Sequence, residues 1–163
     1  MRLYGVTGWK NAGKTGLMER LVADITGRGL TVSTVKHAHH AFDVDQPGKD
    51  SYRHRAAGAT EVLLSSGNRW ALMHELRGDA EPTITDLLAR LSPVDLVLVE
   101  GYKTGAHPKV EASRAATGQG LIAREDFSIR AVAADYPIDL DRPVFALDDT
   151  RAIADFILRE TGL

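Results

Sequence analysis

The sequence predicts an α/β fold with three layers, a mainly parallel sheet and an inserted β-hairpin, all in a single domain spanning 1–163. Three observations predict it. Short extended apolar runs alternate with stretches whose apolar residues recur at helical spacing. A glycine-rich turn, Gly8-Trp9-Lys10-Asn11-Ala12-Gly13-Lys14-Thr15, joins the first run to the first helix. A later run, Leu96-Val97-Leu98-Val99, ends in the carboxylate of Glu100 and then Gly101.

Arg2-Leu3-Tyr4-Gly5-Val6-Thr7 is short and largely apolar and reads as a buried first strand. The turn after it fits G-x-x-x-x-G-K-[ST], the P-loop pattern, so the fold is of the P-loop NTPase type. Such a turn points backbone N–H groups into one concavity suited to nucleotide phosphates. Gly8 and Gly13 supply backbone angles that residues with a Cβ avoid. Lys14 is placed to reach the β- and γ-phosphates, and Thr15 to put its hydroxyl on Mg²⁺. Leu17, Leu21, Val22 and Ile25 then fall at helical spacing, with Gly27 and Gly29 marking the helix end. The helix N-terminus thereby lies under the phosphates.

Thr31–Lys36 is the expected second strand. A polar stretch from His37 to Lys49 lacks apolar periodicity and carries the turn signal Pro47-Gly48, which marks a functional loop. Asp50 could cap a helix through Tyr52, His54, Ala56 and Ala57, closed by Gly58. Thr60–Ser65 and Arg69–His74 flank Ser66-Gly67-Asn68 as a β-hairpin. Thr83–Leu91 reads as a helix with Ile84, Leu87, Leu88 and Leu91 on one face. Asp95–Glu100 is the clearest buried strand, and Ile129–Ala133 and Pro143–Leu147 are later strands. Asp148 or Asp149 could cap a final helix whose Ile153, Phe156 and Ile157 face the core.

Composition narrows the function classes. At 163 residues the chain can bury a proper core, and 44% hydrophobic and 26% charged residues are ordinary for a soluble globular protein. A net charge of −2 gives no basic field for nucleic acid. The absence of cysteine removes disulfides, thiolate metal sites and a cysteine nucleophile. No apolar run approaches a membrane span, and the first strand begins at once, so neither a membrane anchor nor a secretion leader is expected. The expected location is cytoplasmic.

Leu96-Val97-Leu98-Val99-Glu100-Gly101 has the form of a Walker B strand, which delivers its carboxylate to the C-terminal sheet edge beside the P-loop. Glu100 could hold Mg²⁺, directly or through water, or polarise an attacking water. There is no N-K-x-D guanine motif. Val132-Ala133-Ala134-Asp135 does end a late strand in an acid, so Asp135 is a candidate reader of the base and also a candidate turn former.

Two polar segments remain. Residues 35–45 concentrate His37, His39, His40, Asp43 and Asp45. They read as a solvated loop, as a Zn²⁺ or Ni²⁺ site, or as a switch loop whose aspartates approach Mg²⁺ while the histidines meet a second anionic ligand. Lys49 with Arg53, His54 and Arg55, and Lys109 with Glu111 and Arg114 in a basic loop beyond Glu100, could bind phosphates of a second substrate or be charged surface.

Jointly these segments resemble the molybdopterin-guanine dinucleotide biosynthesis protein B (MobB) family. The resemblance rests on the N-terminal P-loop, on Val35-Lys36-His37 with His40, Phe42 and Asp45, and on Pro47-Gly48-Lys49-Asp50-Ser51. It rests also on Arg55-Ala56-Ala57-Gly58-Ala59, Leu98-Val99-Glu100-Gly101-Tyr102-Lys103, and Pro108-Lys109-Val110-Glu111 with Arg114. Ala112 departs from the aliphatic residue usual after that glutamate. The resemblance implies GTP binding with Mg²⁺, weak GTPase activity and a homodimer. It also implies work beside the molybdenum cofactor guanylyltransferase that joins GMP to molybdopterin, with molybdopterin itself a candidate ligand. The P-loop role carries onto Gly8, Gly13, Lys14 and Thr15, the acidic strand-end role onto Glu100, and the basic motif onto Lys109, Glu111 and Arg114. Guanine over adenine comes from the resemblance alone. Two other readings stay open: a P-loop small-molecule kinase, and a metal-delivery GTPase using His37, His39 and His40.

Overall fold

In the computed structural model, which describes residues 1–38 and 42–163, the chain begins β1 (Arg2–Thr7), α1 (Lys14–Gly27) and β2 (Val32–Lys36). It continues α2 (Asp50–Ala56), β3 (Glu61–Ser65), β4 (Trp70–His74), α3 (Ile84–Leu88) and β5 (Leu96–Glu100). It ends β6 (Lys109–Ser113), β7 (Ile129–Ala134), β8 (Val144–Ala146) and α4 (Thr150–Thr161), with short 3-10 turns at Ala115–Thr117 and Ile122–Arg124. These elements fall into two compact units, Met1–Ala38 with Ser92–Leu163, and His39–Leu91.

The first unit is built on a six-stranded sheet in the order β2-β5-β1-β6-β7-β8. Every pairing in it is parallel. All five residues of β5 are buried, as a central parallel strand covered on both faces requires. One face of the sheet presents Tyr4, Val6, Leu96, Leu98, Val110 and Ala112 to Leu17, Leu21 and Ile25 of α1 and to Ile153 and Ile157 of α4. Each buried valine, leucine or isoleucine among them contributes about 1.5–3 kcal/mol by leaving water. On the other face Ile129, Val132 and Ala134 pack with Ala123 under Leu121, Ile122, Tyr136 and Ile138. Asp149 caps α4 by accepting the Ala152 N–H at 3.1 Å. The Asp95 carboxylate accepts both the N–H and the hydroxyl of Thr31, at 2.8 and 2.7 Å, and so fastens the start of β2 to the start of β5.

The second unit holds α2, the β3–β4 hairpin as its own two-stranded antiparallel sheet, and α3. Arg55 organises it, donating from Nη2 to Asp43 at 2.9 Å and from Nη1 to Glu75 at 2.8 Å. Its Nε lies 3.5 Å from Asp45 Oδ2. Thr83 and Asp86 form a reciprocal capping box at the start of α3. That helix stops at Leu88 rather than Leu91: the Arg90 and Leu91 N–H groups donate to Leu87 O and Leu88 O in tighter i→i−3 turns, and Ile84, Leu87 and Leu88 are only half-buried.

The segment expected as a basic loop, Lys109 to Arg114, is instead largely the central strand β6, with Lys109 to Ser113 all buried. Lys109, Glu111 and Ser113 alternate with Val110 and Ala112, so the polar side chains share one face of the sheet.

Candidate nucleotide site

Register brings the site together. Glu100, at the end of β5, pairs with Val6 of β1 and with Lys36 at the end of β2, and Thr7 pairs with Glu111 of β6. The P-loop therefore leaves β1 at the C-terminal sheet edge, where ligands of open α/β sheets bind.

Steric constraint fixes the loop. Gly8 has φ +141°, and a Cβ there would stand 2.3 Å from the Ala112 carbonyl oxygen. Asn11 and Gly13 also take left-handed backbone, at φ 64° and 92°. The Ala12 N–H donates to Trp9 O at 3.2 Å and closes the turn, Ala12 is buried, and Lys10 and Asn11 face solvent. Gly13 opens α1, and among the described residues no side chain caps that end. Its first N–H groups are thus left for an anion.

The expected phosphate and metal groups converge. Lys14 Nζ donates to Trp9 O at 2.7 Å. Thr15 Oγ1 donates to Glu100 Oε1 at 3.3 Å. Lys36 Nζ stands 3.7 Å from the same oxygen. Burial lowers the Lys14 pKa, Glu100 opposes this, and the charges of Lys103 and Lys36 add to the lowering. Like charges gathered around one carboxylate favour a polyanion. Thr15 and Glu100 offer hard oxygen donors, and Mg²⁺ takes one or two protein oxygens while keeping waters and phosphate oxygens, so these residues fit it. Magnesium here would supply charge neutralisation on the phosphates. With a nucleotide bound, Lys14 and the loop N–H groups would orient its phosphates, and Glu100 would accept a hydrogen bond from water.

Asp135 follows β7, is exposed, and accepts the Ala115 N–H at 2.8 Å, so it forms a turn and also stands at a ligand edge. It lines an open hollow of about 470 Å³ with Tyr136, Pro137, Phe145, Leu147 and Asp148. Leu147 Cδ2 lies 3.3 Å, and Arg114 Nε 3.0 Å, from where a Gly13 Cβ would be, so the hollow and Arg114 both adjoin the P-loop.

Other expected residues do internal work. Lys109 is 1% exposed and Glu111 0%, so neither offers its charge to a second substrate. Lys109 Nζ donates to the Lys103 and Gly105 carbonyls, Asp126 and Ser128. The Glu111 carboxylate accepts the Ile122 and Ala123 N–H groups at 3.0 and 2.8 Å, and burial raises its pKa against those two bonds. His37 packs its ring 4.9 Å from that of Tyr102, and its backbone N–H donates to Glu100 O at 2.9 Å. The carboxylates of Asp43 and Asp45 are held by Arg55, and Asp45 also accepts the Ser51 hydroxyl at 2.8 Å. Lys49 is exposed beside α2. His39 and His40 lie outside the described residues, and among the described residues no cluster of three or more histidines and acids is arranged to hold a metal ion.

Lys36 and Lys103, which sequence reasoning met only inside the segments that carry the resemblance and gave no role, stand beside Glu100 and Lys14. The signal was position: Lys36 ends the strand beside β5, and Lys103 lies just beyond Glu100-Gly101.

Residues 3–135 match the family described as molybdopterin guanine dinucleotide synthesis protein B. The chain is 39% identical over 158 residues to the molybdopterin-guanine dinucleotide biosynthesis adapter protein of Haemophilus influenzae, covering 95% of this chain and 86% of that protein. It is 37% identical over 161 residues to the adapter protein of Escherichia coli, covering 96% and 91%. A solved MobB homologue from Bacillus stearothermophilus superposes with a TM-score of 0.73 at 31% identity, covering 99% of each chain. Bacillus subtilis MobB superposes with a TM-score of 0.78 at 25% identity, covering 99% and 98%. The chain belongs to the molybdopterin guanine dinucleotide synthesis protein B family.

Proposed function

We propose that this chain is an adapter in molybdopterin guanine dinucleotide biosynthesis that binds GTP with Mg²⁺ and hydrolyses it slowly. The observation that carries the nucleotide reading is the convergence of Lys14, Thr15 and Glu100 at the P-loop edge. Asp135 beside the adjoining hollow supports guanine, because a carboxylate accepts from the guanine N1–H and N2–H₂ whereas adenine offers an acceptor at N1. Slow turnover fits a site where the charge beside the P-loop is supplied by Lys14, Lys36 and Lys103. The partner is the molybdenum cofactor guanylyltransferase, and molybdopterin is the second ligand.

The working form is a homodimer. Leu63 pairs with Leu72 and Ser65 with Trp70, which puts Leu63, Leu72 and Trp70 on one face of the hairpin. They are 61%, 43% and 66% exposed, an apolar face of the kind that a second subunit covers. A cytoplasmic location goes with this role, and no helix among the described residues is long and apolar enough to cross a membrane.

A second reading, a small-molecule kinase, is favoured by one observation. A hollow of about 480 Å³ lined by Thr15, Met18, Val22, Val35, Lys36 and Glu100 adjoins the phosphate edge and could seat an acceptor. Calorimetric titration with non-hydrolysable GTP and ATP analogues separates the readings. The adapter reading expects guanine preference and loss of binding in Lys14→Ala. Equal or tighter adenine binding, with nucleotide consumption accelerated by a small acceptor, would favour the kinase.

A further inference from the structure

The ammonium of Lys103 lies over the indole ring of Trp9, 4.3 Å from its centroid. Trp9 is part of the P-loop, and its carbonyl takes Lys14 Nζ at 2.7 Å. Its indole N–H donates to Gly120 O at 2.7 Å, which fixes the ring plane. Two lysine ammonium groups thus meet one residue of the P-loop, one on its carbonyl and one on its ring. The backbone of Lys103 is anchored separately, because its carbonyl accepts from the buried Lys109 Nζ at 3.2 Å. Gly101 ties the start of the same segment to β1 by donating its N–H to Val6 O at 3.3 Å. Only the flexible four-carbon stem of Lys103 is left to move.

We propose that Lys103 is a sensor of the terminal phosphate: Trp9 holds its ammonium in waiting, and a nucleoside triphosphate on the P-loop draws it off the indole. This rests on the nucleotide reading proposed above and adds to it the residue that distinguishes triphosphate from diphosphate. Three features support it. Lys103 follows the carboxylate strand by three residues, at the end of β5 where the terminal phosphate would face. Its charge already acts on Lys14, the expected phosphate lysine. A cation over an aromatic face is held less strongly than one hydrogen-bonded to phosphate oxygens, so the exchange runs toward the phosphate when the phosphate is present.

The test uses the full chain with Trp70→Phe, which leaves Trp9 as the single tryptophan, since the sequence has two. Calorimetry with Mg²⁺ measures the affinities for a non-hydrolysable GTP analogue and for GDP, and the Trp9 emission is read in the same titrations. Lys103→Ala should weaken the triphosphate analogue about tenfold or more while GDP changes within about twofold, and Lys103→Arg should recover part of the difference. The emission should shift with the triphosphate analogue and not with GDP, and Lys103→Ala should abolish that shift. If the parent binds both nucleotides but Lys103→Ala leaves the ratio of affinities unchanged, the sensor is overturned and the nucleotide reading stands. If the parent binds neither nucleotide, both are overturned.

Discussion

Thr15 Oγ1 donates to Glu100 Oε1 across 3.3 Å, although the two residues are 85 positions apart in sequence. Parallel pairing of β1 with β5 produces this contact, since Val6 is in register with Glu100 and the P-loop starts where β1 ends. A hydroxyl and a carboxylate brought together at the first turn of α1 make an oxygen pair of the kind magnesium uses. The charges of Lys14 and Lys36 lie beside the same carboxylate and would offset those of bound phosphates.

Gly8→Ala tests the fit of the loop against β6. The new methyl would stand 2.3 Å from the Ala112 carbonyl oxygen at a φ of +141°. Overpacking and backbone strain together should cost about 2 kcal/mol or more and abolish nucleotide binding. The urea midpoint and calorimetry check this, and an unchanged midpoint would contradict the close approach.

Asp135→Ala tests base reading. It should reduce affinity for the GTP analogue about tenfold and leave the ATP analogue within about twofold, because only guanine loses its acceptor. Equal losses for both nucleotides would mean that Asp135 acts only through its bond to Ala115.

His107 gives stability a pH dependence. Burial lowers its pKa below the usual 6.5, the charge of Lys109 adds to this, and Asp126 opposes it. The unfolded chain therefore binds this proton more readily than the folded one. Stability is lost as pH falls below 6.5 toward the folded-state pKa, and is fully present above 6.5. His107→Gln, which does not titrate, should lack that slope. Urea midpoints for both proteins between about pH 5 and pH 8 should diverge on the acid side, and parallel curves would contradict the assignment.

Leu63→Glu with Leu72→Glu tests the hairpin face. Both residues are exposed and opposed across the β3–β4 pair, so the change should leave the fold in place and place like charges at the proposed dimer interface. Sedimentation should find the parent dimeric and the double variant monomeric. Equal masses would place any interface elsewhere.

Much of the sheet was legible in the sequence. The apolar run Leu96–Val99 with its terminal Glu100 declares a buried strand and its acid together, and Gly8 to Thr15 declares the turn. The strand β6 was not legible as a strand. Lys109 and Glu111 are charged, and charge in a short segment reads as surface until the structure supplies the buried carbonyls, Asp126 and backbone N–H groups that satisfy it. Arg55 hid in the same way: nothing in its local sequence says that it gathers Asp43, Asp45 and Glu75, because those partners are set by tertiary placement. Trp9 and Lys103 were visible as residues, yet their ring contact joins two segments that only the sheet order brings side by side.

The most direct test of the account is the Mg²⁺ dependence of GTP-analogue binding in the parent and in Glu100→Ala. The account predicts that Mg²⁺ tightens binding to the parent about tenfold or more and that Glu100→Ala loses most of this gain while retaining metal-free binding through Lys14 and the loop. A Glu100→Ala protein with the full Mg²⁺ gain would contradict the pairing of Thr15 and Glu100 as the metal edge of a nucleotide site.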